Sequence, residues 1–191
     1  QKKKWNEVYD RIRADVLKKR PQGDDLVRWK YQRYMADYLA CIKSLDESVG
    51  TMLDYLDESG LAENTVVIYA SDQGFFLGEH GWFDKRFMYE ESLKTPLLVR
   101  WPGVAKAGHV NDVPVISMDL YPTCLAAAGL PSHPAQHRDG FDLLPLVKGS
   151  GALKREALHW HYPHYNSHPS SVPSSVLRKG NWKLIETFDP E

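Results

Sequence analysis

The stretch Thr65 to Gly103, TVVIYASDQGFFLGEHGWFDKRFMYEESLKTPLLVRWPG, decides how the rest of the chain is read. It opens on a short β-branched run, Val66 to Ala70, bounded by Glu63-Asn64, which predicts a buried strand. The run passes directly into Ser71-Asp72-Gln73-Gly74. A carboxylate and a side-chain amide therefore stand together at the strand's carboxyl end, where open α/β sheets bind ligands. His80 follows between Gly78 and Gly81, then Asp84-Lys85-Arg86, and a second apolar run, Pro96 to Trp101, predicts a strand that re-enters the core. Hard oxygen donors, an imidazole and two cations thus share one glycine-punctuated excursion, a set better suited to a divalent metal and an oxyanion than to packing.

Each piece alone has a plainer reading. Asp-Gln-Gly by itself is a turn, and Lys85-Arg86 by itself is a solvated basic pair. Placed together between two strands, they read as a site. Asp72 and Gln73 would give a calcium ion about two of the six to eight oxygens it takes, so they make only part of a metal site. Lys85 would clamp the oxyanion electrostatically. Imidazole changes charge near neutral pH, so His80 has two chemical roles open to it, hydrogen bonding the anion or protonating a leaving oxygen; shaping the loop is a third. Arg86, Tyr89, Glu90 and Glu91 either reach substrate or buttress the loop by ion pairing.

The segments SDQG, GEHGWFDKR, YEE and TPLLVRWPG, in that order, resemble the second half of the catalytic domain of the type I, formylglycine-dependent sulfatases of the alkaline phosphatase superfamily. The resemblance runs from Leu26 to Leu146, with DLYPT, LAAAGL and the segment from Phe141 to Val147 continuing it. The DKR, YE and PLLVR forms are most similar to the N-acetylglucosamine-6-sulfatase branch, whereas the tail is closer to arylsulfatase-A-like bacterial enzymes. The resemblance implies an α/β fold with part of a mostly parallel sheet flanked by helices, followed by the start of a small antiparallel subdomain. It implies hydrolysis of sulfate esters on a carbohydrate, with Asp72 and Gln73 as calcium ligands and Lys85 on the sulfate. His80 would serve the leaving oxygen, and Arg86 and His161 would contact the sugar. A phosphonate or phosphate monoester hydrolase of the same superfamily and a non-catalytic sulfated-glycan binding module are the rival readings.

The family's nucleophile arises from a C/S-x-P-x-R motif, and neither Cys41 nor Cys124 has the required Pro and Arg. The resemblance therefore makes this chain the C-terminal part of a sulfatase, cut also at its end beyond Phe188-Asp189-Pro190-Glu191. The formylglycine and the remaining Ca2+ ligands belong to the missing N-terminal half, its expected partner. Turnover by this chain alone is not expected, and the parent enzyme is expected in the periplasm or outside the cell.

The 191 residues suit one domain with a small appendage, and 42% hydrophobic content is ordinary for a globular fold. A formal net charge of -1 gives no case for nucleic acid or a membrane surface, and no apolar run has the length of a membrane span. Residues 1 to 23 read as a surface segment closed by Pro21-Gln22-Gly23. A long amphipathic helix is predicted from Asp24-Asp25 to a Gly60 cap, its stripe of Trp29, Tyr34, Tyr38, Ile42, Leu45, Val49, Leu53 and Leu56 facing a sheet. A short helix with Pro122 in its first turn ends at Gly129, with Asp119 and Tyr121 structural.

His133, His137 and Asp139 fall in a loop, where a structural metal is the lesser reading. Cys41 and Cys124 are expected as buried free thiols, a disulfide being the alternative. Gly149-Ser150-Gly151 divides residues 1–150, the catalytic portion, from the antiparallel subdomain at 151–191. There Ala157 to Tyr162 alternates as a strand, and Lys179-Gly180-Asn181 marks a hairpin. His159, His161, His164 and His168 lie about the intervening loop, which is a place for binding residues. A half-sheet would leave an apolar edge and favour self-association.

Overall fold

The computed structural model describes residues 2–165 and 172–188, so His168 lies outside the described residues. The chain forms two compact units, Gln1–Asp54 and Tyr55–Glu191. In the first, helix α1 (Lys2–Lys19) is followed by helix α2 (Gly23–Glu58), and Pro21 stands in the break. The N-terminal surface segment is therefore helical. Tyr9, Ile12 and Val16 recur at three and four residues, a pattern that marks its inner face. Tyr9 donates to Asp37 Oδ2 at 3.0 Å, Arg33 pairs with the same carboxylate, and the Arg33 guanidinium lies 5.9 Å from the Tyr9 ring centre.

Helix α2 has the predicted extent, with Asp24 and Asp25 in its first turn, where carboxylates favour the helix dipole. It ends as a Schellman cap: Gly60 takes φ 70°, and the Leu61 amide donates to Leu56 O at 3.0 Å. Its packing departs from expectation. No residue of α2 is buried, and Tyr34, Ile42 and Leu45 on the apolar stripe are exposed.

The second unit begins with a 3-10 turn at Ala62–Asn64 and strand β1 (Val67–Ala70). Two very short strands, β2 (Phe76–Leu77) and β3 (Phe83–Asp84), and a four-residue helix α3 (Glu90–Leu93) precede β4 (Leu97–Arg100). Strand β1 pairs with β4 in antiparallel register, Val67 opposite Arg100 and Ala70 opposite Leu97, and β2 pairs antiparallel with β3. The mostly parallel sheet expected from the family is thus corrected: the fold is α/β with helices beside sheets, and every strand pair among the described residues is antiparallel. Parallel neighbours need a crossover, usually through a helix of several turns. Between β1 and β4 the only helix is α3, and the chain returns in the opposite direction. Leu98 on β4 is 65% exposed.

Helix α4 (Leu120–Ala127) carries Pro122 in its first turn, where a missing amide costs nothing, and Gly129 caps it at φ 66°. Helix α5 (Leu144–Val147) follows. Asp119, fully buried, accepts the amides of Ile116 (2.9 Å) and Phe141 (2.8 Å) and the guanidinium of Arg155, which also lies over the Phe141 ring. Thr123 adds a second tie, donating to Asp119 O and accepting from the Leu143 amide. Asp119 is structural, as the sequence suggests.

Strands β5 (Leu158–Tyr162), β6 (Ser174–Lys179) and β7 (Trp182–Thr187) form the predicted antiparallel sheet, with Gly180-Asn181 as a two-residue hairpin loop and Gly180 at φ 55°. Leu158 and Val176 are buried. Cys41 and Cys124 are free but exposed, which corrects the expectation of buried thiols. Neither helix carries its cysteine on a buried face.

Candidate active site

The excursion from Ser71 to Pro96 is built around Phe76, which is 1% exposed. The rings of His80, Trp82, Phe87 and Tyr89 meet it edge-on, and Trp82 stacks on Phe87 with ring centres 3.7 Å apart. Such edge and stacked contacts stabilise beyond the area they bury. The turn between β2 and β3 needs left-handed backbone, supplied by Gly78 (φ 113°) and Gly81 (φ 78°), but also by His80 (φ 57°), and Asp84 at the end of β3 takes φ 93°. Non-glycine residues at such angles cost energy and gather at functional loops. Glu79 closes the turn by accepting the Leu77 amide at 2.6 Å, which holds its carboxyl below the ordinary value.

Gly74 fixes where the site begins. Its amide donates to Ser92 O at 2.8 Å, and a Cβ there would stand 2.0 Å from Glu91 O. Only glycine lets α3 approach the end of β1 so closely. Just before it, Asp72 is exposed and makes no hydrogen bond or ion pair among the described residues. The Gln73 side-chain oxygen accepts from Lys85 Nζ, so the excursion folds back to bring Lys85 to Gln73.

The other candidates are held by neighbours. His80 Nε2 lies 3.3 Å from Glu91 Oε1, and Arg86 Nε lies 3.1 Å from Asp84 Oδ2. Glu90 pairs with Lys183 of β7, and that hydrogen bond, aided by the charges of Arg178 and Lys94, keeps its carboxyl below the usual range. Buttressing by ion pairs is therefore what Arg86 and Glu90 display, and Glu91 contacts the His80 imidazole. His161 sits apart on β5, with Nδ1 2.7 Å from Ser175 Oγ, lining a separate cavity of about 270 Å3 with His159 and Trp160. The tether from Glu90 to Lys183 was missed from sequence, since 93 residues separate its partners.

Chemically, Asp72 and Gln73 present a free carboxylate and an amide oxygen, the donor types calcium takes, and so fit part of a calcium site. Among the described residues no group of three or more His, Cys, Asp or Glu side chains could hold a metal ion. At 133–137 the histidines bond locally instead, the His133 amide donating to His137 Nε2 at 3.1 Å. No helix is long and apolar enough to cross a membrane among the described residues.

A strand-end amide meets a lysine in this α/β fold, and comparison with known proteins gives the fold its family. The sulfatase family model matches residues 4–130, and the model of the C-terminal region of N-sulphoglucosamine sulphohydrolase matches residues 78–190. The chain belongs to the sulfatase family and represents a C-terminal part of it. It is 40% identical over 189 residues to an N-acetylglucosamine-6-O-sulfatase of Bacteroides thetaiotaomicron, covering 97% of this chain and 34% of that protein. A solved structure of a protein in complex with its substrate D-glucosamine-2-N,6-O-disulfate superposes with a TM-score of 0.90 at 39% identity, over 99% of this chain and 38% of that one. A phosphonate monoester hydrolase from Silicibacter pomeroyi superposes with a TM-score of 0.71 at 28% identity, over 83% of this chain and 33% of that one. The chain spans about a third of the length of the curated relatives it matches.

Proposed function

We propose that the protein to which this chain belongs hydrolyses sulfate esters of a sulfated carbohydrate, an amino sugar sulfated at O6 being the favoured class. The observation that carries this reading is the contact of Lys85 with Gln73 beside the unpartnered carboxylate of Asp72. Asp72 and Gln73 would hold calcium together with ligands from outside this chain. Bound there, calcium would supply Lewis-acid polarisation of the sulfuryl oxygens. Lys85 would bind one sulfate oxygen and stabilise the charge that grows on it as the ester bond breaks. His80, oriented by Glu91, would donate a proton to the departing sugar oxygen, and Arg86, braced by Asp84, would hydrogen-bond the sugar.

His161 would contact the sugar only at its far side, since it lies on another cavity. The nucleophile would come from outside this chain as formylglycine, and the enzyme would work outside the cytoplasm. Residues 1–150 would serve as the catalytic portion and 151–191 as its antiparallel appendage.

The test is sulfate release from glucosamine 6-sulfate by the full-length protein, with and without a calcium chelator, beside phosphate and phosphonate monoesters. Calcium-dependent sulfate release that exceeds phosphoryl release is expected. A preference for the phosphonate ester would overturn the reading in favour of the superfamily rival, which shares the lysine and metal logic. Glycan binding with no hydrolysis would favour a binding module.

A further inference from the structure

A cavity of about 760 Å3, in the size range of small-ligand sites, has Asp72, Ser92, Lys94, Asp112 and Arg178 in its wall. A second, of about 460 Å3, includes His80, Glu91, Asn181 and Lys183, and Glu90 and Arg178 border both. Two of the four carboxylates around them are engaged, Glu90 by Lys183 and Glu91 by His80. Asp72 is the candidate metal ligand, and Asp112 stands on the first wall alone. Arg178, half-buried on β6, makes no hydrogen bond or ion pair with any described residue. Ser92, 7% exposed, has a hydroxyl buried on the same wall and equally without a partner. Arg178 does act on Glu90 through its charge, but a buried hydroxyl without a partner, on a wall that this half-buried guanidinium also lines, is costly unless something polar completes it.

We infer that Arg178 and Ser92 form a subsite for a second anionic substituent of the carbohydrate, a sulfate or a carboxylate, distinct from the ester held by Lys85. This rests on the sulfatase reading above. The guanidinium fork matches either anion in two-pronged fashion, the Ser92 hydroxyl donates a further hydrogen bond, and Lys94 adds positive potential from the rim. Because Arg178 borders both cavities, it would select glycans that carry negative charge on more than one position.

The experiment compares full-length wild type with Arg178→Gln, Arg178→Lys and Ser92→Ala. The probes are glucosamine 6-sulfate, glucosamine 2-N,6-O-disulfate and a 6-sulfated glucosamine linked to a uronic acid. Arg178→Gln is expected to raise KM roughly 10- to 100-fold for one doubly anionic probe, and to change the monosulfated sugar less than about twofold. The probe affected tells sulfate from carboxylate. Arg178→Lys should restore part of the loss, and Ser92→Ala should show the same selectivity at smaller size. Equal losses on all three probes, or none, would overturn the subsite. If Arg178→Gln does not fold, Ser92→Ala decides by the same criterion. Wild type that releases no sulfate sinks the sulfatase reading alone. Calorimetric binding then judges the subsite: a preference for doubly anionic sugars that Arg178→Gln erases supports it, and no preference refutes it.

Discussion

Helix α2 and the excursion between β1 and β4 solve opposite problems. The helix runs 36 residues on a regular apolar period and buries none of them. The excursion has no element longer than four residues, yet it holds Phe76 and Ser92 in its interior and brings Lys85 to Gln73. Regular period fixes local conformation without fixing a partner. Irregular backbone, held by an aromatic cluster and a close glycine contact, fixes chemistry.

If the excursion is a working site, Lys85→Ala in the full-length protein should lower kcat/KM for sulfate release by about 100- to 1000-fold, with folding unchanged. Steady-state kinetics beside a thermal melt check this, and a loss below tenfold would reduce Lys85 to a brace for Gln73. Next in size, Phe76→Ala should destabilise by about 3–5 kcal/mol in denaturant unfolding, since the surrounding rings cannot close the gap. A cost under 1 kcal/mol would mean that the cluster does not organise the loop.

The tether from β7 to α3 gives a smaller, pH-dependent effect. The Glu90 carboxyl is held below its ordinary value of 4.5, so its stabilisation is full above that pH and is lost as pH falls through the lower folded value. Melting of Lys183→Gln against wild type should differ at neutral pH and converge in acid below 4.5. A gap that persists in acid would assign Lys183 a packing role instead. Smallest of all, Ile42→Ser and Tyr34→Ser should each change stability by no more than about 0.5 kcal/mol if the α2 stripe meets solvent. Losses of several kcal/mol in the full-length protein would show that this face is covered there, and the contrast with the excursion would close.

Much of this could be read from residues alone, for local reasons. The β-branched run at Val66 to Ala70 and the apolar period with its Gly60 cap are signals carried within one element, and strand, helix and the Gly180 hairpin emerged where they were read, although the strand is half-buried to exposed rather than buried. The grouping of Lys85 with Gln73 was implied by their placement on one excursion between two strands as well as by family resemblance. Three features lay beyond local pattern. Strand direction depends on what bridges β1 and β4, and a four-residue helix is too short to turn them parallel. The pairing of β2 with β3 relies on His80 and Asp84 taking left-handed backbone, which neither residue type announces. The α1 helix was legible in Tyr9, Ile12 and Val16, but abundant charge disguised it as mere surface.

The carboxylate of Asp119 has a consequence for a chain that is broken. It binds backbone or side chain at residues 116, 141 and 155 together, on both sides of the loop at 131–140. A protease that cut this loop would therefore sever one covalent path and leave the two flanks riveted through the buried Asp119 carboxylate and the Thr123–Leu143 hydrogen bond. The nicked protein would travel as one body until denaturant parted it, so an intact elution profile is no proof of an intact chain.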